Sequence, residues 1–149
     1  MRIVVQRVTR ASVRVKDQLV SEIGKGLMVL IGVQEGDSEK DALLAAEKMV
    51  GLRIFEDEAG KMNRSVQDVG GQVLAVSQFT LLGDARHGKR PSFIAAARPE
   101  QANGLYEACV RRVRELGVEC KTGIFQADMQ VELVNDGPVT ILYDTGRLF

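Results

Sequence analysis

The sequence predicts an α/β fold: a single domain over residues 1–149 with mixed, barrel-like β-sheet layers and two main helices. Three observations carry this. Short apolar runs with period-two alternation recur along the chain, two longer segments have helical spacing, and no repeat, linker or low-complexity tract divides the 149 residues. That length buries a core without disulfide staples.

Taken in order, residues 2–8 alternate around Ile3, Val5 and Val8, and residues 11–15 around Val13 and Val15. They read as two strands joined at Thr9-Arg10. Residues 19–23 add a short edge strand, and Gly24-Lys25-Gly26 a hairpin turn. Leu27 to Val33 is apolar on both faces, as a covered central strand must be. Ser38 with Asp41 forms a capping-box pattern. Ala42, Leu43, Ala46, Met49 and Val50 then make the stripe of a core-facing helix, which Gly51 ends. Ile54-Phe55 starts a further strand-like piece, followed by a polar turn over 57–63.

Val73 to Leu81 reads as an apolar strand that turns polar at its end, with Ser77, Phe79 and Leu81 on one face and Gln78 and Thr80 on the other. A basic loop over 83–90 follows, and Pro99 opens a second helix. The buried face predicted for that helix is Ala102, Leu105, Cys109, Val113 and Leu116, with Gly117 closing it. Arginines 111, 112 and 114 complement the negative end of its dipole. Residues 118–125 and 131–143 read as closing strands, the last pair broken by the turn formers Asn135-Asp136-Gly137-Pro138.

Composition narrows the function. The formal net charge is zero, so no global positive field of the kind carried by non-specific nucleic-acid binders exists. No apolar run approaches a membrane span, and the N-terminus turns charged too early for a secretory leader. Cys109, Cys120 and the sole histidine, His87, share no metal-ligand spacing. The expectation is a cytoplasmic protein with reduced thiols, no metal and no cofactor.

Several motifs fail. Gly83 to Lys89 nearly spells a phosphate-binding loop, but Arg90 stands at its Ser/Thr position and Pro91 follows where a helix should open. Neither Gly-x-Ser-x-Gly nor His-Glu-x-x-His is present. Ser77-Gln78-Phe79-Thr80 is more informative, because hydroxyls and an amide at the end of an apolar strand line a pocket or satisfy nearby backbone. Two readings of Gly137-Pro138 stand open. One is a turn with an ordinary trans proline; the other is bare backbone carbonyls presented to a ligand, helped by a cis form only about 0.5–1 kcal/mol above trans.

The combination of Ser-Gln-Phe-Thr-Leu at 77–81 with Asn-Asp-Gly-Pro-Val-Thr at 135–140 resembles the D-aminoacyl-tRNA deacylases. Gln6 to Val13, Gly51 to Phe55, Lys61 to Asn63, Arg90 to Phe93 and Ala127 to Val131 fit the same family, so the resemblance spans essentially the whole chain. It implies the family's fold and hydrolysis of the ester joining a D-amino acid, or mischarged glycine, to the 3′-terminal adenosine of tRNA. It further implies a homodimer, in which Gly137 and cis Pro138 of one subunit enter the other's site and reject L side chains. Ser77, Gln78 and Thr80 are the catalytic candidates. Phe79 and Met129 join Gly137 and Pro138 as substrate-binding candidates. Aminoacyl-tRNA is the implied partner; DNA and membrane are not. Phosphates near the tRNA end are expected to meet Arg86, Lys89 and Arg90.

Two roles for Thr80 come with the resemblance: a nucleophile, and a positioning group in catalysis assisted by the terminal ribose 2′-hydroxyl. The second is favoured, since a threonine hydroxyl needs a base beside it and the sequence offers none. The alternatives are a non-catalytic tRNA-binding or dimeric interaction module on the same fold, and a hydrolase of free D-amino-acid esters.

Overall fold

The computed structural model describes all 149 residues. Its elements run β1 (Arg2–Val15), β2 (Gln18–Ile23), β3 (Gly26–Gly32), α1 (Glu39–Gly51), β4 (Phe55–Glu56), β5 (Met62–Arg64), β6 (Gln72–Ser77), a 3-10 turn (Phe79–Leu82), α2 (Pro99–Glu115), β7 (Cys120–Thr122) and β8 (Gln130–Asp144). The main sheet has the order β2-β1-β3-β6-β7, with β8 along the remaining edge of β1. β3, β6 and β7 run parallel; β1 is antiparallel to β2, β3 and β8. The sheet curls until β7 meets β2, where Ser21 Oγ donates to the Thr122 carbonyl and Lys121 Nζ to the Glu22 carbonyl. A nearly closed barrel results, and β4 and β5 form a separate small hairpin.

Residues 2–15 form one strand, not the two predicted. The break in alternation that suggests two strands is real, but it is a pair of register shifts against β8, between Gln6 and Val8 and between Val8 and Arg10. Before the shifts, Ile3 and Val5 face the layer of α1 and α2; after them, Ala11 and Val13 face the barrel interior. A bulge re-aims side chains in this way without ending the strand. One strand thereby serves two cores.

The predicted closing strand over 131–143 is likewise continuous. Asn135 pairs with Val8 and Thr140 with Gln6, so Asp136, Gly137, Pro138 and Val139 form a bulge opposite Arg7, with the first three exposed and Val139 buried in the core. The strand predicted over 118–125 shrinks to β7, because the chain leaves the sheet after Thr122.

α1 begins at the predicted capping box, with Ser38 N–H donating to Asp41 Oδ2 at 2.9 Å. Its buried face holds Ala42, Ala45, Ala46, Met49 and Val50, whereas Leu43 is exposed. α2 starts at Pro99 and buries Tyr106, Ala108 and Val110 beside the predicted Ala102, Cys109 and Val113; Leu105 and Leu116 are only partly covered. Tyr106 donates its hydroxyl to the Ala75 carbonyl at 2.7 Å, fixing the helix to β6. Both cysteines are reduced and buried; burial pushes the Cys109 thiol up to about 12 and the Cys120 thiol to about 11. No helix is long and apolar enough to cross a membrane.

Candidate active site

Three parallel strands end on the same side of the sheet, and the segments that follow them enclose a cavity of about 780 Å³. Val33 follows β3, Ser77 ends β6 with Gln78 to Thr80 after it, and Phe125 to Met129 follow β7. Pockets in α/β sheets form outside the carboxyl ends of parallel strands for this reason: successive connections diverge there. The first turn of α2 adds Pro99 and Ala102.

The 73–81 segment departs from the predicted strand at the point that matters. β6 stops at Ser77, and Phe79–Leu82 turns into a 3-10 helix. The Gln78 N–H still donates to the Ile31 carbonyl at 2.8 Å, while its own carbonyl accepts the Leu81 N–H at 3.3 Å. Strict alternation of faces is therefore lost after Ser77. Ser77, Gln78, Phe79 and Thr80 all border the one cavity, together with Met129. Phe79 is 55% exposed and packs edge-on against Phe93, with ring centroids 5.2 Å apart. The two rings make a wall at the mouth.

The cavity is mostly apolar, with few polar groups. Gln78 Nε2 donates to Thr80 Oγ1 at 2.9 Å. An amide donor does not remove a proton from a hydroxyl, so Thr80 lacks the adjacent base that activates a nucleophile. No histidine or cysteine lines the cavity, and Asp128 is its one carboxylate. No three His, Cys, Asp or Glu side chains converge anywhere in the molecule in a way that would hold a metal ion. The arrangement offers apolar and aromatic walls beside a polar edge, in which Thr80 Oγ1 accepts from the Gln78 amide.

Gly137 and Pro138 lie elsewhere. They do not border this cavity, and both are exposed. The peptide between them is cis. Their bulge is clamped from two sides. Asn135 accepts the Val139 N–H at 2.7 Å on Oδ1 and donates from Nδ2 to the Val139 carbonyl at 3.2 Å. Arg7, only 7% exposed, donates from Nε to the Asp136 carbonyl at 3.0 Å and from Nη1 to the Ile54 carbonyl at 2.7 Å. Gly137 sits at φ 139°, and a Cβ there would fall 2.7 Å from Val139 Cγ2 and 3.2 Å from Arg7 Nη2. Only glycine fits without displacement.

In the loop over 83–90, Arg86 is committed to Asp84, with its Nη2 2.7 Å from Oδ2, and the guanidinium holds that carboxyl down at about 2. Lys89, Arg90 and His87 are exposed. Sequence reasoning did not identify Val33, Ala97, Ala102 or Phe125 as cavity residues. The parallel order of β3, β6 and β7 would have pointed to Val33, Phe125 and, in the first turn of α2, Ala102; Ala97 is placed by its backbone hydrogen bond to Val33.

A mostly apolar cavity with Ser77, Gln78, Thr80, Gln126 and Asp128 as its polar groups has the lining of a site for a small organic group. Comparison with known proteins makes this specific. The family model for D-Tyr-tRNA(Tyr) deacylase matches residues 4–144. A D-aminoacyl-tRNA deacylase of Anaeromyxobacter dehalogenans is 62% identical over 149 residues, and one of Koribacter versatilis 63%, each alignment covering all of both chains. The solved structure of a c-Myc DNA unwinding element binding protein matches with TM-score 0.91 and 43% identity, over 97% of this chain and 99% of that one. A structure described as a probable eukaryotic D-amino acid tRNA deacylase matches with TM-score 0.82 at 19% identity, over 95% of this chain and 97% of that one, a likeness of fold. The chain belongs to the D-aminoacyl-tRNA deacylase family and is an enzyme of the hydrolase class.

Proposed function

We propose that this protein hydrolyses the ester between a D-amino acid, or mischarged glycine, and the 3′-terminal adenosine of tRNA. The observation that carries the reading is the single cavity shared by Ser77, Gln78, Phe79, Thr80 and Met129, in a chain of this family. Its aromatic and thioether walls suit an unstacked terminal adenine, held as RNA ends are held, by stacking. Its polar edge suits the ester.

Catalysis in this proposal is by placement. Thr80 has no base, so the ribose 2′-hydroxyl next to the ester supplies the help that the chain lacks, while Gln78 and the hydroxyls orient the ester and the developing oxyanion. Gly137 and Pro138 act from a second copy of the chain. They are exposed, outside their own cavity and firmly clamped, as a group must be that works in a neighbour's site. The outer edge of β8 has no strand partner, which leaves it free for that copy. Carbonyls on the face where an L side chain would project reject handedness whatever the side chain. The homodimer acts on aminoacyl-tRNA in the cytoplasm.

Deacylation of matched D-tyrosyl- and L-tyrosyl-tRNA, with and without chelator, tests the reading. Release from the D form alone, indifferent to chelator, is expected. Release from neither would favour a binding module; equal release from both would sink the backbone filter. Thr80→Ala is expected to stay within about tenfold of wild-type kcat, because losing a positioning hydrogen bond costs about 1 kcal/mol. A loss near a thousandfold would restore Thr80 as nucleophile.

A further inference from the structure

The 3-10 turn that carries Phe79 and Thr80 is held from outside the cavity as well as from within. Arg2, at the start of β1, stands across from Gly32 of β3 on one side and from Asp144 of β8 on the other. Its guanidinium forks between two elements. Nη1 donates to the Leu81 carbonyl, in the middle of the turn, at 2.9 Å; Nε donates to Asp144 Oδ2 at 3.2 Å. Asp144 is 2% exposed, and its other oxygen accepts the Gly146 N–H at 2.6 Å. The Phe149 ring covers the guanidinium at 5.5 Å.

Gly32 is the seat of the same turn. A Cβ there would fall 2.7 Å from Leu82 Cδ2, 3.0 Å from Leu81 Cβ and 3.1 Å from the Gln78 carbonyl oxygen. The turn is thus set down on a bare backbone and tied by an arginine that a buried carboxylate aims. Arg2 touches none of the cavity, so it has no contact with a substrate bound there.

We propose that Arg2, oriented by Asp144, is a positioning residue for the deacylation reaction: through the Leu81 carbonyl it fixes the 3-10 turn so that Gln78 and Thr80 meet the ester in register. The inference rests on the reading that residues 77–80 form the reacting edge of the cavity. The physical demand is strict, since about 1 Å of misplacement costs on the order of a hundredfold in rate. Lysine does not substitute. It keeps the charge beside Asp144 but lacks two nitrogens held apart in one plane, so it does not serve both acceptors in the same geometry.

The test compares Arg2→Lys, Arg2→Gln and Phe149→Ala with wild type in kcat and KM for D-tyrosyl-tRNA, in thermal midpoint, and in the methyl resonance of Thr80. For Arg2→Lys and Arg2→Gln we expect kcat to fall by at least about tenfold and KM to change by less than kcat, because Phe93, Phe125 and Met129 keep their places while the turn that carries Phe79 and the reacting edge shifts. The Thr80 methyl should shift in both and stay in place in Phe149→Ala, which removes only the cover. Wild-type kcat in Arg2→Lys with an unmoved Thr80 methyl would overturn the proposal. So would failure of both Arg2 variants to fold, which would make Arg2 a determinant of the fold. If wild type itself released nothing from D-tyrosyl-tRNA, the functional reading would fall, and the Thr80 resonance would still decide whether Arg2 fixes the turn.

Discussion

The edge of the cavity at Ser77 to Thr80 and the bulge at Asp136 to Val139 are built to opposite plans. The first is concave, presents side chains, and sits where parallel strands end. The second exposes Gly137 and Pro138 on a bulge outside that cavity, and interrupts a long antiparallel strand pair. The first has its ligand space within its own chain; the second has none. Under the proposed function the contrast separates two tasks. Orienting one ester for reaction needs particular side-chain groups, whereas refusing one hand of every amino acid needs a surface indifferent to side-chain identity. In the proposed reaction, exposed main chain on a clamped bulge would meet the second need.

The sharpest way to break the contrast is Gly137→Ala. The added methyl meets Val139 Cγ2 and Arg7 Nη2 at a backbone angle that disfavours L residues. Strain of about 1–3 kcal/mol would be relieved by moving the bulge. The preference for D- over L-tyrosyl-tRNA is expected to fall by about tenfold to a hundredfold, read as the ratio of kcat/KM values. An unchanged ratio would show that the bulge plays no part in selectivity.

Gly32→Ala strikes the other region. Its methyl pushes on Leu81, Leu82 and the Gln78 carbonyl, so kcat should drop by about tenfold while the D-to-L ratio holds. If the ratio fell too, the two regions would not be separable.

The smallest effect belongs to Asp84, whose carboxyl is held low by Arg86. A depressed carboxylate stabilises its loop above the unfolded value of 3.8, and that contribution disappears as pH falls through about 2. Asp84→Asn should speed exchange of the Arg86 and Ser92 amides at neutral pH. It should leave kcat within about twofold, since an exposed ion pair contributes little and this one lies outside the cavity.

Legibility in the sequence followed the range of the interactions. α1 announced itself through Ser38 and Asp41, α2 through Pro99, and β3 through apolar residues on both faces, all local signals. β1 and β8 misled because their bulges break the period-two rule that defines a strand in one dimension, although pairing across the sheet carries the chain through. The 3-10 turn after Ser77 was hidden for a related reason: its seat is Gly32 and its tie is Arg2, both far away in sequence. The polar edge of the cavity was legible as a motif. Its apolar walls were not, because Val33 and Phe125 become neighbours only through the parallel pairing of β3, β6 and β7, and Ala97 joins them through an antiparallel bridge between Gln34 and Ala96.

The two buried thiols have a practical side. With burial holding Cys109 and Cys120 protonated well above neutral pH, the native protein offers maleimide reagents no reactive sulfur. A cysteine introduced at Ile94, which is 90% exposed and follows the Phe93 wall, would then be the sole attachment point for a dye. The wild-type background is already suited to testing by fluorescence whether a tRNA end arrives at the cavity mouth.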